Sequence, residues 1–182
     1  MTPDDLHASF PDDTPLPDML ARLCHYTEAT GLAGLGGDMS LVEDGRRSVR
    51  RAFRNYPEHI DSFIVFLTDG SGSLYGYWRY DGQPLDHAPL VYLNDEGVNN
   101  TVLASTLEEF LTLIATGQRH LGLFETWDEN NEPDEDTLLF RAWLREDVGI
   151  KAPTLTQARA IVERARAAHP DLEGWMEHLV GA

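Results

Sequence analysis

The stretch TDGSGSLYGYWRYDG, from Thr68 to Gly82, contains the residue types that most nearly suggest chemistry in this sequence. Glycines and serines that alternate directly after an apolar run are typical of loops that bind phosphate groups. A dinucleotide-binding loop, however, needs the spacing G-x-G-x-x-G and a helix directly after it, because the helix N-terminus meets the pyrophosphate. Gly70, Gly72 and Gly76 have a different spacing, and a strand-like aromatic segment follows them. The stretch is therefore predicted to be a tight turn that joins two strands.

Other catalytic and metal-binding motifs are also missing from the sequence. A P-loop needs Gly-Lys-Ser/Thr, but the only lysine is Lys151. The seven histidines form no H-E-x-x-H motif, and no serine has glycines two positions away on both sides, as a nucleophile elbow requires. The single cysteine, Cys24, excludes an intramolecular disulfide and a thiolate zinc site, and its apolar neighbours indicate a buried, inert thiol. We therefore expect no enzyme activity, no cofactor and no metal. A hydrolase that uses carboxylates is the least favoured alternative.

The charge of the chain favours a basic protein as its partner. The sequence has 31 acidic and 14 basic residues, which give a net charge of −17. Such a field repels nucleic acid and anionic lipid and attracts cationic proteins. We expect neither a nucleic-acid nor a membrane partner, and the sequence does not define the oligomeric state. The alternative is that the negative charge serves solubility alone.

Two segments are candidates for the contact surface. Interface hot spots are enriched in tyrosine and tryptophan, and strand alternation between Leu74 and Tyr80 is expected to expose about half of the aromatic side chains there. The loop from Glu125 to Asp136 has seven carboxylates and no basic residue, so it would steer a cationic partner. The predicted partner-binding residues are Trp78, Tyr80, Asp81, Asp128, Glu129, Glu132, Asp134, Glu135 and Asp136. The alternatives are aromatic core packing and an acidic loop that is only solvated.

A basic helix is predicted over the segment DGRRSVRRAFRNYP, residues 44–57. Val49, Ala52, Phe53 and Tyr56 recur at helical spacing and form its apolar face. The other face carries five of the fourteen basic residues of the chain, namely Arg46, Arg47, Arg50, Arg51 and Arg54. We expect this face to balance carboxylates of the same chain. Binding of a phosphate or an acidic peptide is the less favoured alternative.

The elements that must position these residues follow from hydrophobic periodicity. The predicted elements are an extended acidic lead-in at 1–15, a helix from about residue 17, strands at 63–67, 74–80 and 90–93, a helix at 105–117 and a helical extension at 137–182. Ser105 and Glu108 are expected to form the capping box of the helix at 105–117, and Thr154 and Gln157 that of a later helix. Helices, then strands, then helices indicate an α+β fold. We expect a mostly antiparallel mixed sheet of about four to six strands, flanked by helices.

The chain is expected to be soluble and cytoplasmic. Its N-terminus, MTPDDLHASFPDD, has neither the basic flank nor the apolar segment of a secretory signal. No apolar run approaches the roughly 20 residues that span a bilayer. A single cysteine fits a reducing compartment.

The segments FIVFLTDGSGSLYGYWRYDG, APLVYLNDEG and TVLASTLEEFLTLIATG share a pattern with a known family. The pattern is a strand, a D-G-S/G turn, an aromatic strand, a strand that begins P-hydrophobic-hydrophobic, and the helix entry V-x-A-S-x-L-x-x-F-L. It resembles the SUKH superfamily, the Smi/Knr-type domain first associated with yeast cell-wall regulators. The resemblance covers residues 63–117, and the C-terminal helices lie outside it.

This resemblance implies a single SUKH-like α+β domain over residues 16–182. Bacterial SUKH proteins are commonly immunity proteins, which bind and neutralise a toxin domain, often a nuclease or a deaminase, and have no catalytic residues. The resemblance therefore implies a non-catalytic protein that neutralises a basic toxin domain. An intracellular scaffold or regulator without a toxin partner is the alternative.

Overall fold

The computed structural model of the chain describes residues 1–31, 35–53 and 57–180. The α-helices are α1 (Pro3–His7), α2 (Asp18–Thr30), α3 (Gly45–Ala52), α4 (Leu107–Ile114), α5 (Glu135–Trp143), α6 (Leu155–Ala168) and α7 (Leu172–Val180). The strands are β1 (Ser40–Leu41), β2 (Phe63–Thr68), β3 (Leu74–Trp78), β4 (Leu90–Leu93) and β5 (Thr101–Ala104). Short 3₁₀ segments occur at Pro57–Ser62, Leu85–His87 and Leu121–Thr126, and a π-helical segment at Leu144–Val148.

Within the described ranges, five strands form one open antiparallel sheet in the order β1-β2-β3-β4-β5. Each strand pairs with its neighbour in the sequence, as short antiparallel connections allow. Gly76 of β3 lies opposite Val91, and a Cβ at this glycine would collide with the carbonyl oxygen of Ile64 in β2. The α+β fold with an antiparallel sheet of four to six strands is thus confirmed. β1 and β5 lie outside the three predicted strands.

Helices cover both faces of the sheet. Alternate strand residues enter two separate apolar clusters, with Tyr75 and Tyr77 in one and Val65 and Trp78 in the other. The first cluster includes side chains of α1, α2, α4 and α5, and the second includes side chains of α3 and α7. α6 packs against β5 and contributes to both clusters. The sheet is therefore the middle layer of three.

The N-terminal segment differs from the predicted extended lead-in, because residues 3–7 form α1. Thr2 and Asp5 cap this helix reciprocally, and Pro3 occupies its first turn, where a missing N–H is tolerated. Leu6 is 0% exposed and Phe10 is 1% exposed, so the segment is anchored in the core. The capping pattern T-P-D-D and two apolar anchors outweigh the acidic, proline-rich composition that suggested an extended chain.

The helical caps are close to the predicted ones. The capping box of Thr154 and Gln157 in α6 is confirmed. At α4, however, the N-cap is Thr106, whose side chain accepts a hydrogen bond from Glu109 N, while Ser105 N donates to Glu109 Oε2. The predicted Ser105/Glu108 cap is therefore wrong by one residue, since S-T-L-E-E offers the same spacing twice.

Among the described residues, none of the helices combines the length and apolar composition that crossing a bilayer requires.

Candidate functional site

The glycine-rich turn is held together by one buried carboxylate. Asp69 Oδ1 accepts hydrogen bonds from Ser71 N at 3.0 Å, Ser71 Oγ at 2.6 Å and Ser73 N at 3.2 Å. Asp69 Oδ2 accepts a hydrogen bond from the Tyr75 hydroxyl at 2.7 Å. Burial, followed by the negative charge of Asp69, raises the pKa of Tyr75. The predicted strand connection is confirmed, and its serines serve the turn.

A histidine joins this cluster from a distant part of the chain. His120 Nδ1 lies 3.5 Å from Asp69 Oδ2, and His120 has a φ of +51°. A cavity of about 280 Å³ opens beside it. Ser71 Oγ bonds to the carboxylate of Asp69, so the cluster lacks the serine–imidazole hydrogen bond that activates a nucleophile. Sequence reasoning missed His120, because no local pattern connects it with Asp69.

Trp78 does not belong to any contact surface. It is 0% exposed, and its ring lies 4.9 Å from that of Tyr80 and 5.3 Å from that of Trp175 on α7. The prediction that it contacts a partner is therefore wrong. Strand alternation sends Trp78 to the face opposite Tyr75 as expected, but helices cover that face as well.

Tyr80 and Asp81 lie where the chain leaves β3. Tyr80 is half-buried, and its ring lies 6.3 Å from the ring of His169. Asp81 is exposed, and its Oδ1 accepts a hydrogen bond from Gln83 N at 3.2 Å, so it shapes the turn that follows β3. Both residues reach the surface.

The acidic loop is fixed to the body of the protein. Gln118 Nε2 donates to the Asp128 carbonyl at 2.8 Å, and Asp128 N donates to Gln118 Oε1 at 3.0 Å. Asn131 Nδ2 donates to the Gly117 carbonyl at 3.0 Å. Trp127, near the start of the loop, is buried. These contacts fix the backbone of the loop.

Three of the six predicted loop carboxylates serve the fold. Asp128 accepts from Asn130, Glu129 lies 3.6 Å from Arg159, and Asp134 caps α5 by accepting from Thr137 N. The other three have no hydrogen bond or ion pair with any side chain of the described ranges. They are Glu132, Glu135 and Asp136.

Exposed leucines adjoin these unpaired carboxylates. Leu138 is 53% exposed and Leu139 is 41% exposed, and they account for two of the three large hydrophobic side chains exposed in the described part of the chain. Glu135 lies one helical turn before both leucines and therefore on the same side of α5. We call Glu132, Glu135, Asp136, Leu138 and Leu139 the acidic surface. Sequence reasoning identified its carboxylates but not its leucines.

The two groups of predicted contact residues are separated. Tyr80 lies at the C-terminal end of α6, beside His169, whereas Glu129 contacts Arg159 near the start of that helix. Ten residues of α-helix span about 15 Å. The structure therefore does not bring Tyr80 and Asp81 together with the acidic loop into one surface.

The basic face of α3 is partly used inside the protein. Arg46 donates to the Phe10 carbonyl at 2.6 Å and lies 3.7 Å from Asp12. Arg47, Arg50 and Arg51 lie on the same helix, and Arg54 and Tyr56 lie outside the described residues. The contact with Asp12 is the kind of internal charge balance that the sequence suggested.

Within the described ranges, no group of three or more histidine, cysteine, aspartate or glutamate side chains could hold a metal ion.

A scan against protein-family models, a search of curated proteins and a search of solved structures each gave no match. The resemblance to the SUKH superfamily therefore stays a prediction.

Proposed function

We propose that this chain is a non-catalytic, cytoplasmic protein that binds a basic protein domain and neutralises it, as an immunity protein does. The observation that carries the proposal is the acidic surface, where unpaired carboxylates, one on a fixed loop and two in the first turn of α5, adjoin exposed leucines. The SUKH resemblance implies the same role.

The chemistry of the acidic surface suits a cationic partner. Its three carboxylates give up no internal ion pair on binding, so their full charge is available to lysine and arginine side chains. Because Gln118 and Asn131 already fix the loop, little backbone conformational entropy remains to be lost on binding. Leu138 and Leu139 supply apolar area at the centre of such a contact, where charged residues are depleted.

The net charge supports the same proposal at longer range. Surfaces of nucleases that grip phosphate groups are basic, and an acidic protein can occupy them by presenting the same sign of charge as the substrate. A charge of −17 also speeds the encounter with such a surface at low ionic strength. Neutralisation then follows from simple occlusion of the partner's site.

Affinity capture with functional rescue tests the proposal. The tagged chain is incubated with lysate of its source cell, eluted along a salt gradient, and the partner is identified by mass spectrometry. We expect a basic protein whose expression is toxic alone and tolerated when this chain is co-expressed. An ordinary housekeeping partner would favour the scaffold or regulator instead.

A matched pair of variants then tests the acidic surface itself. Glu132→Gln/Glu135→Gln/Asp136→Asn should weaken binding of the captured partner by about tenfold or more, since it removes three unpaired charges. The control Glu96→Gln/Asp147→Asn/Glu163→Gln removes the same charge from three other exposed positions. Equal losses in both variants would show that only the net charge matters and would contradict the proposed surface.

A further inference from the structure

A groove of about 1050 Å³ lies on the side of the molecule where three distant chain segments meet. Its walls are the segment before and at the start of α2 (residues 13–19), the turn after β3 (residues 82–86) and the start of α4 (residues 106–108). Apolar side chains that pack against the first core cluster line it, among them Leu16, Met19, Leu85 and Leu107. The floor is therefore apolar and rests on the core.

The rim of the groove is acidic. Its carboxylates are Asp13, Asp18, Asp86 and Glu108. Across the described residues, none of them pairs with an arginine or a lysine. The one guanidinium in the lining, that of Arg79, donates to the carbonyl oxygens of Gln83 at 2.9 Å and Gly82 at 3.0 Å. Asp86 Oδ2 lies 3.9 Å from His87 Nε2. Four carboxylates and one guanidinium leave the lining with a net negative charge above an apolar floor.

A tyrosine hydroxyl belongs to the same groove. Tyr77 is 3% exposed and lines the floor. The hydroxyl makes no hydrogen bond with any residue that the structure describes, and its oxygen is not among the fully enclosed polar atoms, so it is open to the groove. An incoming donor or acceptor would satisfy it.

We infer that this groove binds an extended segment of a partner protein in which arginine or lysine alternates with apolar side chains. The inference rests on the proposed function, which it deepens by naming a second contact and its chemistry. Arginine and lysine lay their aliphatic stems on apolar surface and extend the charged head to its border. The floor of leucines and Met19 accepts such stems, and the rim carboxylates accept the cationic heads.

Charge complementarity favours this occupant over a second copy of the chain. Two copies would each carry −17, and their repulsion opposes association. The carboxylates are spread over three walls instead of converging on one point. That arrangement matches several cationic groups along a chain better than one small ligand.

Peptide binding followed by fluorescence polarisation tests the inference. The probe is a short fluorescein-labelled peptide of Arg-Leu repeats, compared with Arg-Ser and Glu-Leu counterparts. We expect the Arg-Leu peptide to bind at least about tenfold tighter than either counterpart, since only it matches both rim and floor. Equal binding of the Arg-Ser peptide or of the Glu-Leu peptide would overturn the inference.

Variants locate the bound peptide. Asp13→Asn/Asp86→Asn/Glu108→Gln should weaken Arg-Leu binding by about tenfold, because it removes the carboxylates of the rim. The control Glu96→Gln/Asp147→Asn/Glu163→Gln has the same net charge but keeps the rim, so it should change binding by less than about twofold. Tyr77→Phe should weaken it by a smaller factor if the peptide pairs with the hydroxyl. Melting temperatures close to that of the unmodified protein show that each variant folds. Equal losses in the two triple variants would overturn the groove as the site.

Two further readouts separate the possible failures. With the captured partner, the acidic-surface variant tests the proposed function and the groove variant tests this inference, so one can fail while the other stands. Sedimentation velocity tests the remaining occupant. A dimer that the groove variant dissociates would assign the groove to a second copy and overturn the inference.

Discussion

At the scale of single residues, the hydrogen bond between Tyr75 and Asp69 stabilises the turn between β2 and β3. Tyr75→Phe leaves a buried carboxylate with one donor fewer, so we expect a loss of about 1–3 kcal/mol in the free energy of unfolding. Denaturant titration measures it. Tyr80→Phe is the control, because the Tyr80 side chain is half-buried and its substitution leaves Asp69 intact. Equal effects of the two substitutions would contradict the role given to the Asp69 cluster.

A buried thiol and buried tyrosine side chains make the stability of the protein sensitive to alkaline pH. Burial raises the pKa of Cys24 to about 11 and that of Tyr26 to about 12, and it also raises the pKa of Tyr75 and Tyr77. These groups stay neutral in the folded state, whereas in the unfolded chain cysteine ionises near pH 8.5 and tyrosine near pH 10. The contribution of these groups to the free energy of unfolding is therefore fully present below about pH 8 and decreases as the pH rises beyond it.

Tyrosinate absorbance and circular dichroism, recorded together during an alkaline titration, check this expectation. The buried tyrosines should ionise only as the ellipticity of the fold is lost. Ionisation of all tyrosines near pH 10 with the fold intact would contradict it.

Trp78 separates a structural role from a binding role. Trp78→Ala should lower the free energy of unfolding by about 3–5 kcal/mol, because it empties a fully buried site between two aromatic rings. Trp78→Phe should cost less, since Trp78 Nε1 is buried without a hydrogen-bond partner in the described structure. Thermal denaturation measures both. Asp81→Asn, at an exposed position, should leave the stability within about 0.5 kcal/mol.

At the scale of elements, the cap of α5 fixes the orientation of the acidic surface. Asp134→Ala removes the side-chain acceptor for Thr137 N and should cost about 1 kcal/mol, whereas Asp134→Asn keeps an acceptor and should be nearly neutral. Thermal denaturation of both variants at neutral pH measures the difference. Equal losses would contradict a capping role.

The same cap depends on pH. Burial acts to raise the pKa of Asp134, but the hydrogen bonds from Thr137 and the charge of Arg119 outweigh it, and the pKa is lowered overall. A carboxyl with a lowered folded-state pKa stabilises the fold above its unfolded value, about 3.9, and loses that contribution as pH falls below it. The difference between Asp134→Ala and the unmodified protein should therefore shrink in acid.

The helices and strands were predictable where the sequence shows a clear hydrophobic pattern. They were less predictable where only a few residues determine whether an element forms. β2 and β4 are short apolar runs between turn signals, and β3 shows strand alternation, so the sequence pattern predicts all three. β1 has two residues, which are too few to show a pattern. β5 is as long as β4, but only two residues separate it from α4, so the sequence pattern places its residues in the helix entry. α1 was hidden by a composition typical of extended chain, although Thr2 and Asp5 cap it.

The candidate sites divide in the same way. The carboxylates of the acidic loop stand out in the sequence as a run without a basic residue. Which of them remain unpaired depends on partners far away in the chain, such as Arg159 for Glu129. The groove was not predictable at all, since its three walls come together only through the packing of α2, β3 and α4.

At the scale of the whole molecule, the charge of −17 has opposite consequences for folding and for binding. Self-repulsion destabilises a compact state, and added salt screens it: the Debye length falls from about 30 Å at 0.01 M to about 8 Å at 0.15 M. The melting temperature at neutral pH should therefore rise over this range. The affinity for a basic partner should fall over the same range.

Calorimetry and binding titrations over one salt series measure both trends. Parallel trends, in which salt lowers stability and affinity alike, would indicate that internal ion pairs outweigh self-repulsion. The control Glu96→Gln/Asp147→Asn/Glu163→Gln should raise the melting temperature at low salt, because it reduces the net charge.

Gln118, Asn131 and the cap of α5 hold the loop and the helix start that carry the acidic surface, whereas Glu132, Leu138 and Leu139 face solvent. Residues that hold the loop and residues that would touch a partner are therefore different residues. Exposed positions of this kind tolerate substitution at little expense in stability. A lineage of such proteins could exchange one partner for another by changing a few surface positions, and no unstable intermediate would stand in the way.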